Sequence, residues 1–490
     1  MHTSILKKQH VVILILAAAA ALAGLHPVCA RDLTLDQALD IAVMRSGRGS
    51  IIKGDLEVAE QNYFAERINF YIPEISINGN APIYNVNESF RFFGGLSQKQ
   101  LIRTTDLDFK TYIQLQQSLI TGGNFTATGN IWRTRSRYPI TSQGLNDVTE
   151  LSQQGVFDFT FEQPILKPSE PKYQLNNRKD DLEIARLTKV EDEATLKKDV
   201  INAYFGVLQS AIELNISNDK VESARLQEGI DSSKFMDGIL AEEGYLASSS
   251  ARLDAELDQF DKENAQIQKN RDLALLLDFD VAETLSVAPP ALGAHLSERE
   301  KNAYINNWEF SAPILKAKFD YDKAERLADY TASSHGLTGT FQANYEVGRG
   351  NVKVEGAKTD NNTNSWGVSL NFTLPVWDGG STGASIKAAR LTAEKSELEY
   401  NRVRKTTRAD IVNLINRLDV SYRKMDVLTK QIEINKKNLD IAEFRMKDGQ
   451  ISKIEYLVSA VAYLDSRNKY LEELKQYLLD KTDLEAKYSG

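Results

Sequence analysis

The sequence predicts a mainly α chain carrying a membrane β-barrel, built as two copies of one unit in which strands feed a long helical hairpin. Three observations carry this expectation. The chain matches itself without a gap at an offset of 211 residues (449 − 238 = 211): Phe161 and Pro164 fall on Phe372 and Pro375, and Asp237-Gly238 on Asp448-Gly449. Tyr245-Leu246 and Leu253-Asp254 likewise meet Tyr456-Leu457 and Leu464-Asp465. Each copy also holds an uninterrupted helical pattern of about 65 residues, roughly 100 Å at 1.5 Å per residue. Finally, each holds a strand whose apolar and polar residues alternate without exception. Two arms of equal reach follow.

Residues 1–30 read as a signal peptide: Lys7 and Lys8, an apolar run from Val11 to Gly24, then a small-residue cleavage site at Val28-Cys29-Ala30. The first repeat, 31–260, opens with Leu33-Thr34-Leu35-Asp36-Gln37-Ala38-Leu39, where Thr34 can cap a helix. Ile51 and Lys53 match Ile314 and Lys316 at a shift of 263, so copy one carries a 52-residue insertion (263 − 211 = 52) between Tyr71 and Phe161. Tyr112 to Leu119, Thr121-Gly122-Gly123 and Phe125 to Trp132 read as an inserted hairpin within about 85–140. Its polar residues Gln114, Gln116, Thr126 and Thr128 suggest a feature standing outward from the barrel.

In the next strand Phe157, Phe159 and Phe161 point one way, and Asp158, Thr160 and Glu162 the other. Its repeat partner sets Val368, Leu370 and Phe372 against Ser369, Asn371 and Thr373. Such a face can pack on a soluble core or meet lipid. The leader and the lack of flanking strands for a sandwich favour lipid. From about Pro171 to Phe235 a helix carries Val190, Ala194, Ile201, Tyr204 and Leu208 at four-three spacing, with Lys197 interrupting the seam. Copy two repeats it with Ile411, Ile415, Leu418, Tyr422 and Met425. Each helix stops at Asp-Gly, where glycine supplies a left-handed turn, and a second helix returns from about Tyr245 and Glu455. The second repeat, 261–490, opens with Ser297 as its cap.

Composition narrows the function. Beyond the leader no cysteine remains and only His295 and His335 survive, so thiol nucleophiles, disulfides, Cys/His metal sites and most histidine-based catalysis are excluded. A net charge of −9 on an evenly mixed surface speaks against nucleic acid. Asp378-Gly379-Gly380-Ser381-Thr382-Gly383 lacks the Lys-Ser/Thr of a P-loop and reads as a turn. Neither enzyme nor cofactor is expected. No apolar run after Arg31 approaches twenty residues, so a membrane crossing falls to strands.

The opening motif, Phe161-Glu162-Gln163-Pro164-Ile165-Leu166 with Phe372-Thr373-Leu374-Pro375-Val376-Trp377, and the paired tips together resemble the TolC-like outer membrane efflux family. The likeness spans nearly the whole mature chain. It implies a homotrimer in which each protomer gives four or more strands to one shared barrel in outer membrane lipid, while the hairpins form a periplasmic tunnel closed like an iris. It further implies a duct that passes small molecules from an inner-membrane transporter and a periplasmic adaptor to the exterior. Polypeptide secretion of type I, and less so a periplasmic coiled-coil adaptor, are the alternatives. Pro164 and Pro375 match the family's strand-to-helix junction, and Asp237, Gly238, Asp448 and Gly449 its adaptor-docking tips. Glu455 stands where members with an acidic aperture carry an aspartate, while Val458 replaces a second one.

Overall fold

The computed structural model describes residues 31–91, 100–138, 148–280, 285–291, 295–354 and 356–488. The leader expected at 1–30 lies outside the described residues. In chain order the elements are β1 (Arg31–Leu33), α1 (Leu35–Met44), α2 (Gly47–Tyr71), β2 (Glu74–Arg91), β3 (Gln100–Ser118), β4 (Asn124–Tyr138), β5 (Val148–Ile165), α3 (Glu170–Met236) and α4 (Glu242–Leu276). The second copy follows with β6 (Leu285–Val287), α5 (Glu298–Asn306), a short 3-10 turn (Trp308–Phe310), α6 (Ala312–Ser334), β7 (Thr338–Val354), β8 (Ala357–Thr373), α7 (Ser381–Lys447) and α8 (Lys453–Ala486). No helix among the described residues is long and apolar enough to cross a membrane.

The repeat reappears in the element bounds. Helices α3 and α7 are both 67 residues long, and both of their ends are displaced by 211. Capping chemistry fixes several starts. Thr34 and Gln37 close a capping box on α1, Ser297 and Glu300 on α5, and Ser452 and Glu455 on α8.

The chain forms two compact units, each drawn from both repeats. The first comprises Met1–Asp55, Arg186–Ile314 and Arg404–Gly490 and is helical. In it α4 runs antiparallel along α3 (Glu213 to Lys262, 2.8 Å; Glu228 to Arg252, 2.6 Å), and α8 along α7 (Lys424 to Glu473, 3.3 Å). Contacts of Lys198 with Asp483 (2.6 Å) and Gln209 with Glu472 (2.7 Å) join α3 to α8. The helices therefore stand in the order α4, α3, α8, α7. Between them lies a core of Leu196, Val200, Phe205, Ile411, Leu418 and Leu474, each buried Leu or Ile contributing about 1.5–3 kcal/mol. The hydroxyl of buried Tyr204 reaches the Leu33 and Ala288 carbonyls (2.9 and 2.7 Å), tying down the parallel pair β1–β6 that joins the openings of the two repeats.

The second unit, Leu56–Ala185 and Leu315–Val403, holds an antiparallel six-stranded sheet in the order β2-β3-β4-β5-β7-β8. Here one expectation is corrected. The inserted hairpin β3–β4 does not stand outward, because β3 pairs with β2 along its length and β4 with β5 from Asn124–Glu162 to Tyr138–Val148. Backbone donors and acceptors on both flanks are thereby satisfied within the sheet.

Candidate membrane sheet and hairpin tips

Antiparallel register carries the alternation of β5 across the sheet. Phe159 stands between Ala127 and Tyr345, and the row continues through Leu115 to Ile75 on one side and to Trp366 on the other. A neighbouring row joins Phe125, Phe161, Ala343 and Val368. Phe157 shares its row with Ile77, Ile113, Gly129 and Val347. Glycine is suited to position 129 because a Cβ there would meet the Phe157 ring at 3.1 Å. Leu370 pairs with Phe341, and Phe372 with Gly339. All six residues singled out in the sequence thus share one apolar band.

The opposite face is polar: Asp158 aligns with Thr128 and Glu346, and Thr160 with Thr126 and Asn344. Asn130 donates to Asp158 at 2.7 Å. Sequence reasoning missed Ile75, Ile77, Ile113, Leu115 and Phe125 as members of the band. Alternation in β3 was available as a signal, but a register shift between Asn80 and Ile83 breaks the period in β2. β2 and β8 end the sheet, each with one strand partner among the described residues.

Pro164 is the penultimate residue of β5, opposite Thr340, and Pro375 lies just beyond β8. Past Pro375 the chain turns through Gly379 and Gly380 at φ 72° and 90°. The Asp378 carboxylate accepts from the Thr382 and Gly380 amides (2.6 and 2.9 Å), capping α7. Hydrogen bonds from the Thr382 side chain and these amides hold its carboxyl below the usual range. Past Pro164 the left-handed residue is Leu166, at φ 65°.

The two tips are built alike. Gly238 and Gly449 have φ 72° and 69°. The Gly238 amide donates to Phe235 O (3.0 Å) and that of Ile239 to Lys234 O (2.8 Å). Gly449 to Met446 O (3.0 Å) and Gln450 to Arg445 O (2.8 Å) repeat the pattern, the Schellman closure of a helix C-terminus. Asp237 and Asp448 precede these glycines and are exposed. Glu455 sits one turn past the second tip, where its carboxylate accepts from the Ser452 amide (2.9 Å) and hydroxyl (3.2 Å). Lys453 pairs with Glu222, linking the start of α8 to α3.

The model of the outer membrane efflux protein family matches residues 311–487. That segment is similar to the outer membrane efflux proteins. Protein CyaE of Bordetella pertussis is 23% identical over 217 residues, 44% of this chain and 45% of that protein, so the match spans about half the relative's length. Among solved structures, a Pseudomonas aeruginosa membrane protein is similar with TM-score 0.60 and 14% identity, over 93% of this chain and 90% of its own. The Campylobacter jejuni CmeC outer membrane channel gives TM-score 0.59 and 12% identity, over 93% and 85%. The Vibrio cholerae outer membrane protein VceC gives 0.57 and 11%, over 93% and 96%. The fold of this chain is therefore that of the TolC-like channels, a β-sheet joined to long helical hairpins.

Proposed function

We propose that this chain is the outer membrane exit duct of a tripartite efflux system. It passively conducts small molecules from an inner-membrane transporter and a periplasmic adaptor to the exterior, with no chemistry and no cofactor of its own. The observation that carries the reading is the sheet: one face holding an apolar band across all six strands, the other polar, and two edges without a second strand among the described residues. In lipid an open edge leaves its backbone groups unsatisfied at several kcal/mol each, so copies must join edge to edge. Three copies give eighteen strands (3 × 6 = 18), a size at which barrels leave an aqueous channel.

The helical unit supports assembly independently. Leu457 and Leu471 of α8 are 3% exposed, whereas their repeat partners on α4, Leu246 and Phe260, are 55% and 62% exposed. Both hairpins pack internally in the same way, so the difference comes from the extra neighbour: beside these residues α8 has α3, whereas α4 has no second helix among the described residues. Conversely Ile216 of α3 is 8% exposed, and its partner Val427 on α7 is 63% exposed. The outer flanks of α4 and α7 are thus the two halves of one more seam, filled when a second copy brings its α4 beside α7. In this duct the tips at Asp237-Gly238 and Asp448-Gly449 dock the adaptor, and Glu455 belongs to the aperture.

The reading is tested with protein extracted from outer membranes and reconstituted in planar bilayers. Discrete conductance steps are expected. Recovery as a soluble monomer without conductance would overturn it. Polypeptide secretion is the second reading, favoured by six strands per copy where four were the minimum expected.

A further inference from the structure

The lipid-side face of the sheet does not stay apolar. Moving along β5 from Ile165 toward Val148, the apolar rows run to Gly155, ten residues on. At roughly 3.3 Å per residue and the usual strand tilt this covers about 25 Å, one apolar girdle of a barrel. The next rows on the same face are basic. Arg133 and Arg135 of β4 project there, followed by Arg137, and Lys353 of β7 pairs with Lys358 of β8 in the row of Arg135 and Leu151. Arg349 begins the series at the row of Gly155.

All six cations are exposed. Lys358 is 3.0 Å from Asp360, while Arg133, Arg135, Arg349 and Lys353 have no ion-pair partner among the described residues. Most acids take the opposite face: Asp106, Asp108, Glu150, Asp158, Glu162 and Glu346 alternate away from the cations, while Asp360, beside Lys358, and Glu88 of β2 share their face. A solvated sheet surface has no reason to sort its charges by face. One that borders lipid does, because a cation just beyond the apolar girdle lies at headgroup depth.

We propose that Arg133, Arg135, Arg349, Lys353 and Lys358 form a belt that binds phosphate-bearing lipid headgroups of the leaflet away from the helices. The occupant is a lipid rather than free phosphate, because the cations continue directly from the apolar band and neither feature alone offers a closed pocket. The proposal rests on the duct reading in taking the odd-numbered face of β5 as the lipid side. Phosphate oxygens would be shared among neighbouring guanidinium groups, which suit them bidentately.

The test uses the full chain in detergent micelles, with retained lipid counted by native mass spectrometry. The probes are bisphosphorylated lipid A, its dephosphorylated form, and inorganic phosphate. Lipid A is expected to bind best and to be lost with rising salt, and Arg135→Gln with Lys353→Gln and Lys358→Gln to weaken it on the order of a hundredfold. Lys110→Gln, on the opposite face, should leave it unchanged. Equal retention of the dephosphorylated lipid, equal retention by the triple variant, or displacement by inorganic phosphate would each overturn the belt. Conductance measured on the same samples separates the two claims: a conducting protein without lipid A preference sinks the belt and leaves the duct standing.

Discussion

Gly238 and Gly449 sit in open space, where an added Cβ would meet nothing within 4 Å, so a substitution there acts through φ alone. The cost is about 1 kcal/mol or more at each tip, too little to unfold arms of this length but enough to reshape their ends. Gly238→Val with Gly449→Val should leave the copies assembled in the membrane while abolishing efflux and adaptor cross-linking; persistence of both would reduce the tips to plain turns. Substitution can separate the capping role of Glu455 from the aperture role proposed for it. Gln at this position keeps the capping box but removes the charge, whereas Ala loses both. Both Glu455→Gln and Glu455→Ala should raise conductance and lessen cation preference in bilayers, with only Ala lowering the melting temperature. If Gln leaves conductance and selectivity untouched, the carboxylate is a cap and nothing more. Asp480 offers a pH test. It is buried, one carboxylate oxygen accepts from Arg417 and Gln476, and the other has no partner among the described residues. Burial pushes its carboxyl up, against the opposing pull of Arg417 and Gln476. A raised folded value means the carboxylate destabilises at neutral pH, and that the deficit vanishes as pH falls below the unfolded value of about 3.9. Asp480→Asn should therefore melt higher near pH 7, with the advantage shrinking on acidification; a lower melting point at all pH values would show that the Arg417 pair dominates.

At the scale of elements, the duplication was legible to the residue. An offset of 211 read from the letters recurs in both ends of α3 and α7, since a helix has no slack over 67 residues: one insertion would rotate every later apolar position off the seam. The capping residues Thr34 and Ser297 were legible for the same local reason. The place of the β3–β4 hairpin was not. Gln114, Gln116, Thr126 and Thr128 looked like a solvated feature, but they form the polar side of strands whose other side carries Ile113, Leu115, Phe125 and Ala127. Polarity of one face says nothing about pairing, which is decided by the neighbours across the backbone. The seam between copies was equally hidden, because Leu246 and Leu457 look alike in sequence and differ only in what lies beside them. Its geometry can be taken from the seam inside the chain. Gln209 bonds to Glu472, and the repeat places Val420 and Asp261 in the equivalent positions (209 + 211 = 420; 472 − 211 = 261). Val420→Cys with Asp261→Cys should cross-link between copies with a short bismaleimide, whereas Ile441→Cys with Asp261→Cys, roughly 30 Å out of register, should not. Equal yields from both pairs, or linkage within single chains only, would refute the shared seam.

For the whole molecule, two properties of a single chain remain incomplete in the same sense among the described residues: a sheet with two edges and a helical layer whose outer flanks are only partly covered. β2 and β8 run in opposite directions and are 18 and 17 residues long, so the last strand of one copy can meet the first strand of the next antiparallel over nearly its full length. Head-to-tail contacts of this kind close into rings when the rotation permits. The number of strands in the closed barrel then follows from the number of copies, and with it the width available to the cargo. Electron cryomicroscopy of the full chain extracted from outer membranes measures this directly. Three copies around one barrel of eighteen strands, with α4 of each copy against α7 of the next, is the result expected. A barrel closed by a single chain, or particles whose six-stranded sheets remain separate, would contradict it.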